Sequence, residues 1–319
     1  MFRINKGNDE YQISLSVIEG FCHKNNRTII MKLKNNKLNG LFKIFKNGYY
    51  FANGYKCNLK CTYKQLTETM VLLPNHVNNI FNLFYTKDFR YENICKSGCY
   101  NCDSLMHTIR LKEQIGDNKV LLLNLANPFH PVTNVRQEKC TQEEELCKRS
   151  SLLCSLYSAE ASKYYEYNQN STNPNESTSM IISPYVEVVK NEEEQLLSDS
   201  KVVSVLTCAA PITNPTERSL KDYKTLVYSR ILNMLACIAY FKYEYLVLGA
   251  WGCGAFGNDA KDISALFNKA LYEEAINGIR LSKCFKRVDF AILDNSDNQY
   301  NYNCFKQYFS DNYNFENKL

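Results

Sequence analysis

The pattern of apolar and polar positions divides the chain into a first part with short alternating segments and a second part with longer periodic ones. Up to about residue 90, alternating apolar positions predict short strands at residues 28–33 and 41–45. The dipeptide Asn47-Gly48 then predicts a hairpin turn into a strand at residues 49–51. We therefore expect residues 1–90 to form an N-terminal extension that is partly strand-rich.

From residue 119 onward, predicted strands alternate with predicted helices. Short apolar runs are typical of strands covered on both faces, and apolar residues spaced three or four apart predict helices with one buried face. The strands are predicted at 120–125, 180–182, 185–189, 202–206, 245–248 and 288–293, the helices at 142–157, 218–241 and 259–271, and an exposed polar loop at 160–179. We expect residues 91–319 to form an α/β domain with helices on both faces of a mixed or mostly parallel sheet.

Glycine is concentrated in one stretch, residues 249–259, which reads Gly-Ala-Trp-Gly-Cys-Gly-Ala-Phe-Gly-Asn-Asp and holds the chain's one tryptophan. It follows the predicted strand 245–248 and precedes a helix for which Asp259 is the predicted N-cap. Glycine gives up much conformational freedom on folding, so a glycine cluster is typical of positive φ or of close approach by a ligand. The stretch predicts a loop that offers backbone N–H groups to a phosphorylated ligand.

A second candidate loop leaves the strand 120–125 and ends at three consecutive glutamates. On a helix, Glu143 shares the face of Leu146, whereas Glu144 lies toward the border of that face and Glu145 on the far side. Acidic residues favour the first turn of any helix, which is the interpretation we prefer for Glu145. For Glu143 and Glu144 we favour a functional role. If the two strands are neighbours, both loops face one crevice at the strand ends.

Composition and charge narrow the class of protein. The chain has 319 residues and 45% hydrophobic content, enough for one large domain with an extension or for two modest domains. A net charge of +5 with one basic stretch at 32–46 is weak support for a nucleic-acid partner. No apolar run is long enough to span a membrane. The 14 cysteines without a secretory signal pattern favour reduced thiols and a cytoplasmic or otherwise intracellular location.

Five cysteines fall into two groups whose spacing leaves a metal site open. Cys57, Cys61, Cys99 and Cys102 could supply four thiolates to zinc, and Cys95 with Cys99 and Cys102 has a spacing used for iron–sulfur clusters. These spacings are less regular than those of ordinary zinc sites, and no other motif supports cluster chemistry. We favour ordinary thiols in a loop and at a helix start, and predict no metal.

The glycine-rich stretch resembles the second phosphate-binding loop of the microbial-type poly(ADP-ribose) glycohydrolases, whose catalytic domain is a macrodomain. Supporting matches are Asn-Leu-Ala-Asn at 124–127, His-Pro at 130–131, Gln-Glu-Glu at 142–144, Ser-Pro at 183–184 and Ala-Ala-Pro at 209–211. The resemblance covers roughly residues 95–310. It implies a macrodomain-like, three-layer α/β/α fold with a mixed central sheet.

The resemblance also implies roles for single residues. Glu144 corresponds to the catalytic acid of the family's Gln-Glu-Glu signature, Glu143 to the residue that positions the reacting ribose, and Phe256 to the aromatic that orients it. The remaining ligand-binding residues implied are Gly252, Cys253, Gly254 and Ala255 in the diphosphate cradle, Asn124 and Asn127 near the distal ribose, and Gln142 and Asn258. The ligand implied is ADP-ribose, carried by a modified protein or by poly(ADP-ribose), with no metal or cofactor.

One departure from the family pattern lies in the first loop. Where the family has His-Pro-Gly-Gly-Gly, this chain has Val132, Thr133 and Asn134 after His-Pro, and Glu138 replaces a usual glycine. β-Branched residues restrict the backbone and add bulk. Two interpretations stay open: an enzyme that cleaves an ADP-ribose glycosidic bond by glutamate acid/base catalysis, or a catalytically weak or inactive macrodomain that binds ADP-ribose or a related nucleotide. A third, nucleic-acid binding through the extension, rests on residues 32–46 alone.

Overall fold

The computed structural model describes residues 36–84, 95–116, 119–132, 141–213, 220–273, 275–276 and 279–310. Helices in these residues are α1 (Asn36–Asn47), α2 (Thr62–Glu68), α3 (Pro74–Phe84), α4 (Ser104–Ile115), α5 (Gln142–Arg149), α6 (Leu152–Leu156), α7 (Ala159–Asn170), α8 (Leu220–Tyr240), α9 (Ala260–Asn268) and α10 (Tyr300–Lys306). Strands are β1 (Tyr49–Ala52), β2 (Tyr55–Asn58), β3 (Met70–Leu72), β4 (Lys96–Tyr100), β5 (Val120–Leu125), β6 (Met180–Lys190), β7 (Leu196–Cys208), β8 (Tyr245–Leu248) and β9 (Arg287–Ala291).

Seven strands form one mixed sheet in the order β3-β6-β7-β5-β8-β9-β4. β5 pairs in parallel with β7 on one side and β8 on the other, and β8, β9 and β4 continue in parallel. β6 is antiparallel to both β3 and β7. The predicted mixed sheet is confirmed, and the carboxyl ends of β7, β5 and β8 lie side by side.

Helices cover both faces of this sheet because alternate side chains of each strand enter different apolar layers. In β5, Leu121 and Leu123 pack with residues of α3, α8, α9 and α10, whereas Val120 and Leu122 pack with residues of α4, α5, α6 and α7. All four leucine and valine side chains are buried. The central strand therefore has no solvent face, which explains its uninterrupted apolar sequence.

The predicted strand at residues 41–45 is wrong, because these residues lie in α1. Leu41 and Phe45 stand one helical turn apart, and both are buried in a small apolar cluster between α1 and the hairpin of β1 and β2. The strand predicted after this segment is confirmed as β1. The strand predicted at 28–33 lies outside the described residues.

The turn of this hairpin lies one strand later than predicted. Gly48, with φ of +74°, follows the end of α1 and does not join two strands. Asn53 and Gly54, with φ of +53° and +81°, connect Ala52 to its partner Tyr55. Two consecutive positive φ values are typical of the two-residue turns that match strand twist.

Residues 70–84 are part of the layers of the main sheet. β3 pairs with β6 at the sheet edge, and α3 begins at Pro74, where a missing N–H is tolerated. Val77 and Ile80 of α3 pack in the layer of α8. The sheet therefore begins before residue 91, and the division of the chain at residue 90 stays a prediction.

Two predictions in the second part need correction. The predicted helix 142–157 is broken between α5 and α6, because Ser150 adopts an extended backbone that bridges to Val188 and Ser151 N donates to Glu187 O (2.8 Å). The polar stretch 160–179 begins with α7 and not with a loop. The N-cap Ser158 starts this helix, which buries one face and exposes its polar residues.

The strands predicted from 120–125 to 288–293 are confirmed as β5 to β9, with the two runs at 180–189 joined in β6. The twelve cysteines in the described residues are all free thiols. No helix within the described ranges is long and apolar enough to cross a membrane.

Candidate active site

The two candidate loops leave neighbouring strands at one edge of the sheet. β5 and β8 pair in parallel from Val120 opposite Tyr245 to Leu122 opposite Val247, and the two strands then diverge. A Cβ atom on Gly249 would lie 3.5 Å from Leu125 Cδ1, so the loops start in contact. The expectation that the two loops follow neighbouring strands is confirmed.

A capping box starts the helix that carries the glutamates. Thr141 is the N-cap of α5, and its backbone N–H donates to Glu144 Oε2 at 2.7 Å. The Glu144 N–H points back toward Thr141 Oγ1. This reciprocal pair satisfies two N–H groups that a helix start leaves without partners. Glu144 is buried, with 1% of its surface exposed, and its carboxylate is held at the helix N-terminus.

Glu143 is held on both carboxylate oxygens by groups from the first loop and from β5. Val132 N donates to Oε1 at 3.0 Å, and Asn124 Nδ2 donates to Oε2 at 2.9 Å. Burial raises the pKa of Glu143 from 4.5 to about 7, and the negative charge of Glu144 adds to the rise, while these hydrogen bonds oppose it. Glu143 therefore holds a proton to a higher pH than an exposed glutamate does.

Asn124 connects Glu143 to the strand on its other side. Its Nδ2 also donates to Thr207 Oγ1 of β7 at 3.1 Å, which fixes the orientation of the amide. Its Oδ1 is buried and has no hydrogen-bond partner among the described residues. Thr207 was not predicted as part of the site, since an isolated threonine near a strand end carries no specific signal.

Gln142 binds the end of β5. Its Oε1 accepts from Leu125 N (2.8 Å), and its Nε2 donates to Leu123 O (2.9 Å) and to Ser104 Oγ (3.1 Å). These strand groups lie beyond Leu122, where pairing with β8 ends. In this structure Gln142 therefore holds α5 on the sheet, and its predicted contact with a ligand stays a prediction.

The first loop is held by its own polar turn and by two side chains of other segments, since Gln169 donates to Phe129 O (2.7 Å) and the Tyr157 hydroxyl to Pro131 O (3.3 Å). Asn127 Oδ1 accepts from Phe129 N (2.8 Å) and His130 N (3.1 Å), which makes a tight polar turn. Val132 follows with φ of +50°, a region that β-branched residues rarely adopt, although its side chain is buried. The valine thus keeps a glycine-like backbone. Thr133, Asn134 and Glu138 lie outside the described residues.

The glycine-rich loop has a closely packed base and an exposed tip. Trp251 is fully buried, and its Nε1 donates to Cys208 O at 2.9 Å. Gly252 has φ of +77°, and a Cβ atom there would lie 2.4 Å from Asn258 Nδ2 and 2.6 Å from Ala210 Cβ. Glycine is required at this position for both reasons. By contrast, a Cβ atom on Gly254 would meet no atom within 4 Å.

Asn258 holds the base of the loop, and its predicted contact with a ligand stays a prediction. Its Nδ2 donates to Pro211 O (2.9 Å) and to Gly252 O (3.0 Å). Tyr223 of α8 donates its hydroxyl to Asn258 Oδ1 at 2.5 Å, which fixes the amide in this orientation. The helical pattern of residues 218–241 indicates only that one face is buried, and it does not show which group the Tyr223 hydroxyl binds.

The tip consists of Gly254, Ala255 and Gly257, which are exposed, and Phe256 and Cys253, which are half-buried. The Phe256 carbonyl accepts from Thr213 N at 3.0 Å, and its ring packs at the margin of the apolar layer. Asp259 caps α9 as predicted, since its side chain accepts from Lys261 N. The tip therefore presents backbone at a helix N-terminus.

The cysteine groups do not converge in the described residues. Cys57 of β2 donates its thiol to Ser198 O (3.1 Å), whereas Cys99 lies in β4 at one edge of the main sheet. Across the described ranges, no group of three or more His, Cys, Asp or Glu side chains is placed to hold a metal ion. The cysteine spacings that were compatible with a zinc or iron–sulfur site therefore do not form a metal-binding group within the described residues.

Comparison with known proteins supports the family resemblance that the sequence motifs indicate. The family model of the microbial-type PARG catalytic domain, PARG being poly(ADP-ribose) glycohydrolase, matches residues 40–191. The resemblance to this family is confirmed. The match begins within the predicted extension and ends before the glycine-rich loop, so it differs in extent from the expected 95–310. Among curated protein sequences, none matches the chain.

Solved poly(ADP-ribose) glycohydrolases share the fold over most of the chain. The Thermomonospora curvata enzyme is 24% identical with a TM-score of 0.77, covering 86% of this chain and 98% of its own; it has also been solved with the inhibitor ADP-HPD. The Deinococcus radiodurans enzyme in complex with ADP-ribose is 26% identical with a TM-score of 0.68, covering 78% of this chain and 97% of its own. The three-layer α/β/α fold is that of the bacterial PARGs.

Proposed function

We propose that this protein is a poly(ADP-ribose) glycohydrolase that cleaves the glycosidic bond of ADP-ribose units attached to a protein or to a poly(ADP-ribose) chain. The observation that carries the proposal is that two buried glutamates, at the start of α5, and a glycine-rich loop follow neighbouring parallel strands, β5 and β8. The solved relatives that bind ADP-ribose and ADP-HPD support the choice of ligand.

In this proposal the glycine-rich loop holds the diphosphate. The exposed backbone at Gly254, Ala255 and Gly257 offers N–H groups next to the N-terminus of α9, where the helix dipole favours negative charge. The half-buried ring of Phe256 packs against the reacting ribose. Because Asn258 and Trp251 fix the base of the loop, these groups are in place before the ligand arrives.

Glu144 acts as the general acid and base. It transfers a proton to the leaving oxygen as the glycosidic bond breaks through an oxocarbenium-like transition state, and its carboxylate then takes a proton from the water that adds to the ribose. Glu143 positions the ribose by accepting hydrogen bonds from the ribose hydroxyl groups. Both carboxylates are almost fully buried, which strengthens their interaction with the positive charge that develops on the sugar.

One observation favours a second candidate function, a module that binds ADP-ribose without cleaving it. Val132 places a buried, branched side chain in the first loop, at a residue whose N–H also holds Glu143. If the bulkier first loop displaces the ribose by as little as 1 Å, catalysis is suppressed. The intact glycine-rich loop still binds ADP-ribose in that case.

Calorimetric titration with ADP-ribose, combined with release of ADP-ribose from modified protein and from poly(ADP-ribose), tests both functions. We expect Glu144→Gln to lower turnover by at least about 1,000-fold and to leave ADP-ribose affinity within about threefold. Glu145→Gln is the matched control on the same helix, since Glu145 is partly exposed and pairs with Lys148 (2.9 Å).

Hydrolysis by Glu144→Gln at the wild-type rate would refute the assigned acid. Binding without release by the wild-type protein supports the module, and the absence of both binding and release rejects both functions.

A further inference from the structure

The first described part of the chain is basic and lacks acidic residues. Residues 36–67 contain no aspartate or glutamate. They contain six lysines, namely Lys37, Lys43, Lys46, Lys56, Lys60 and Lys64. The whole chain has 38 basic and 33 acidic residues, so this segment alone exceeds its net charge of +5. The proposed active site uses none of these lysines.

Aromatic side chains on the outward face of the hairpin are exposed next to these lysines. Tyr50 and Ala52 of β1 point inward and are buried, whereas Phe51 is 61% exposed. Tyr49 lies on the same outward face, with its ring 5.8 Å from that of Phe51 in an edge-to-face pair. Lys56 Nζ lies 4.3 Å above the Tyr49 ring. The outward face therefore offers an aromatic surface beside a cation.

Three of the lysines have no carboxylate partner within the described part of the chain. Lys43 and Lys46 are exposed on α1, and Lys56 is exposed on β2. By contrast, Lys60 pairs with Asp199 at 2.9 Å. We refer to Tyr49, Phe51, Lys43, Lys46 and Lys56 together as the hairpin surface. Its unpaired cations and exposed rings are complementary to a chain that carries both phosphates and stackable bases.

We propose that the hairpin surface binds further ADP-ribose units of a poly(ADP-ribose) chain whose end unit occupies the crevice. This inference rests on the proposed function. Each unit brings a diphosphate for the lysines and an adenine for the aromatic rings. α1 packs against α5, the helix that carries Glu143 and Glu144, so the surface adjoins the helix of the catalytic pair. This continuity favours the enzyme's own substrate over an unrelated nucleic acid.

An acidic turn limits the surface on one side. Glu192 and Glu193 are exposed in the turn between β6 and β7. The start of β7 contacts β2, where the Cys57 thiol donates to Ser198 O at 3.1 Å. Carboxylates at this border repel a polyanion, so the bound chain runs along the side of Lys43 and Lys46.

The test compares ligands that reach the hairpin surface with one that does not. Fluorescence anisotropy measures the affinity for labelled ADP-ribose chains of about ten units, for single-stranded RNA of matched charge, and, by competition, for monomeric ADP-ribose. The variants are K43A/K46A and Phe51→Ala. The double variant K221A/K283A removes the same charge from exposed lysines elsewhere and serves as the control.

We expect Phe51→Ala and K43A/K46A each to weaken binding of the chains about tenfold. K43A/K46A also lowers the slope of log K against log salt by about 1.4. Monomer affinity stays within twofold, and the control variant binds chains like the wild type.

Unchanged binding of the chains by both variants, or equal weakening by the control, overturns the proposal. Tighter binding of RNA than of ADP-ribose chains, with the same sensitivity to K43A/K46A, overturns it in favour of a nucleic-acid surface. If wild-type protein fails to bind the monomer while chain binding still depends on Lys43 and Lys46, the proposed active site fails and the surface stands.

Discussion

The two loops that frame the crevice are stabilised in different ways. The glycine-rich loop is tied to three other elements, through Trp251 to the end of β7, through Asn258 to the segment after β7, and through Tyr223 to α8. The described part of the first loop has its own polar turn, the hydrogen bond from Val132 N to Glu143, and two contacts to its carbonyls, from Gln169 to Phe129 O (2.7 Å) and from the Tyr157 hydroxyl to Pro131 O (3.3 Å). The contacts named for the glycine-rich loop come from neutral groups, whereas the first loop also depends on the Glu143 carboxylate. Because the two loops are held by different contacts, we expect some substitutions to weaken ligand binding without slowing bond cleavage, and others to do the reverse.

The largest expected effect tests whether the second loop is as fixed as its contacts indicate. Gly252→Ala should lower the free energy of unfolding by about 4 kcal/mol, because it adds an unfavourable positive φ to overlaps of the new Cβ with Asn258 and Ala210. Urea denaturation measures this change. Gly254→Ala is the control and should stay within about 0.5 kcal/mol of the wild type, since a Cβ there meets open space. Equal stability of the two variants would show that the base is not packed as described.

The next effect tests the dependence of the first loop on Glu143. Its pKa is raised from 4.5 to about 7 by burial, so the folded state binds more protons than the unfolded state between these values. Its stabilising contribution is therefore present below about pH 4.5 and decreases as pH rises to about 7, by about 3 kcal/mol in total. Unfolding by urea across this range, compared with Glu143→Gln, isolates this part of the pH dependence. Parallel curves for the two proteins would contradict the raised pKa.

A smaller effect tests the support of the second loop from α8. Tyr223→Phe removes the hydroxyl that orients the Asn258 amide, at a cost of about 1–2 kcal/mol. We expect ADP-ribose affinity to fall about tenfold while the hydrolysis rate of bound substrate stays near the wild-type value. Binding calorimetry and single-turnover kinetics separate the two quantities. Tyr167→Phe, at a partly exposed tyrosine of α7, is the control. A loss confined to the hydrolysis rate would place Tyr223 in a different role.

The smallest effect concerns the strained residue of the first loop. In ordinary helix and strand positions alanine is more stable than glycine by about 0.5–1 kcal/mol. At Val132, with φ of +50°, the order should reverse, and Val132→Gly should be more stable than Val132→Ala by about 1 kcal/mol. Thermal or urea unfolding of the two variants measures the difference. Greater stability of the alanine variant would show that the backbone has left the positive φ region.

The sequence predicted those helices and strands whose apolar pattern fits one type of secondary structure better than the other. The run at Val120–Leu125 is short and ends in a loop, which favours a strand covered on both faces, and Asp259 after a glycine-rich turn favours a helix start. Residues 41–45 were misread because apolar residues four apart satisfy both strand alternation and one helical turn. Leu41 and Phe45 belong to the helix because both reach the same small cluster.

The sequence places the candidate site residues in two loops after neighbouring strands, but it does not show their contacts. The motif Thr141-Gln-Glu-Glu144 fits a capping box, a signal that was present in the sequence. The use of Gln142 and Asn258 as supports for backbone, and of Tyr223 as a support for Asn258, depends on tertiary contacts between distant segments. No local pattern encodes such contacts.

Gln142 donates to Leu123 O and accepts from Leu125 N, so its amide side chain replaces the strand partner that β8 no longer provides there. The backbone N–H of Leu125 is therefore protected from solvent exchange only while α5 remains docked. The hydrogen-exchange rate of this one amide, measured by NMR, therefore reports whether α5 is docked, and Glu143 and Glu144 need not be changed for the measurement. A ligand that tightens the crevice should slow this one amide more than its neighbours within β5.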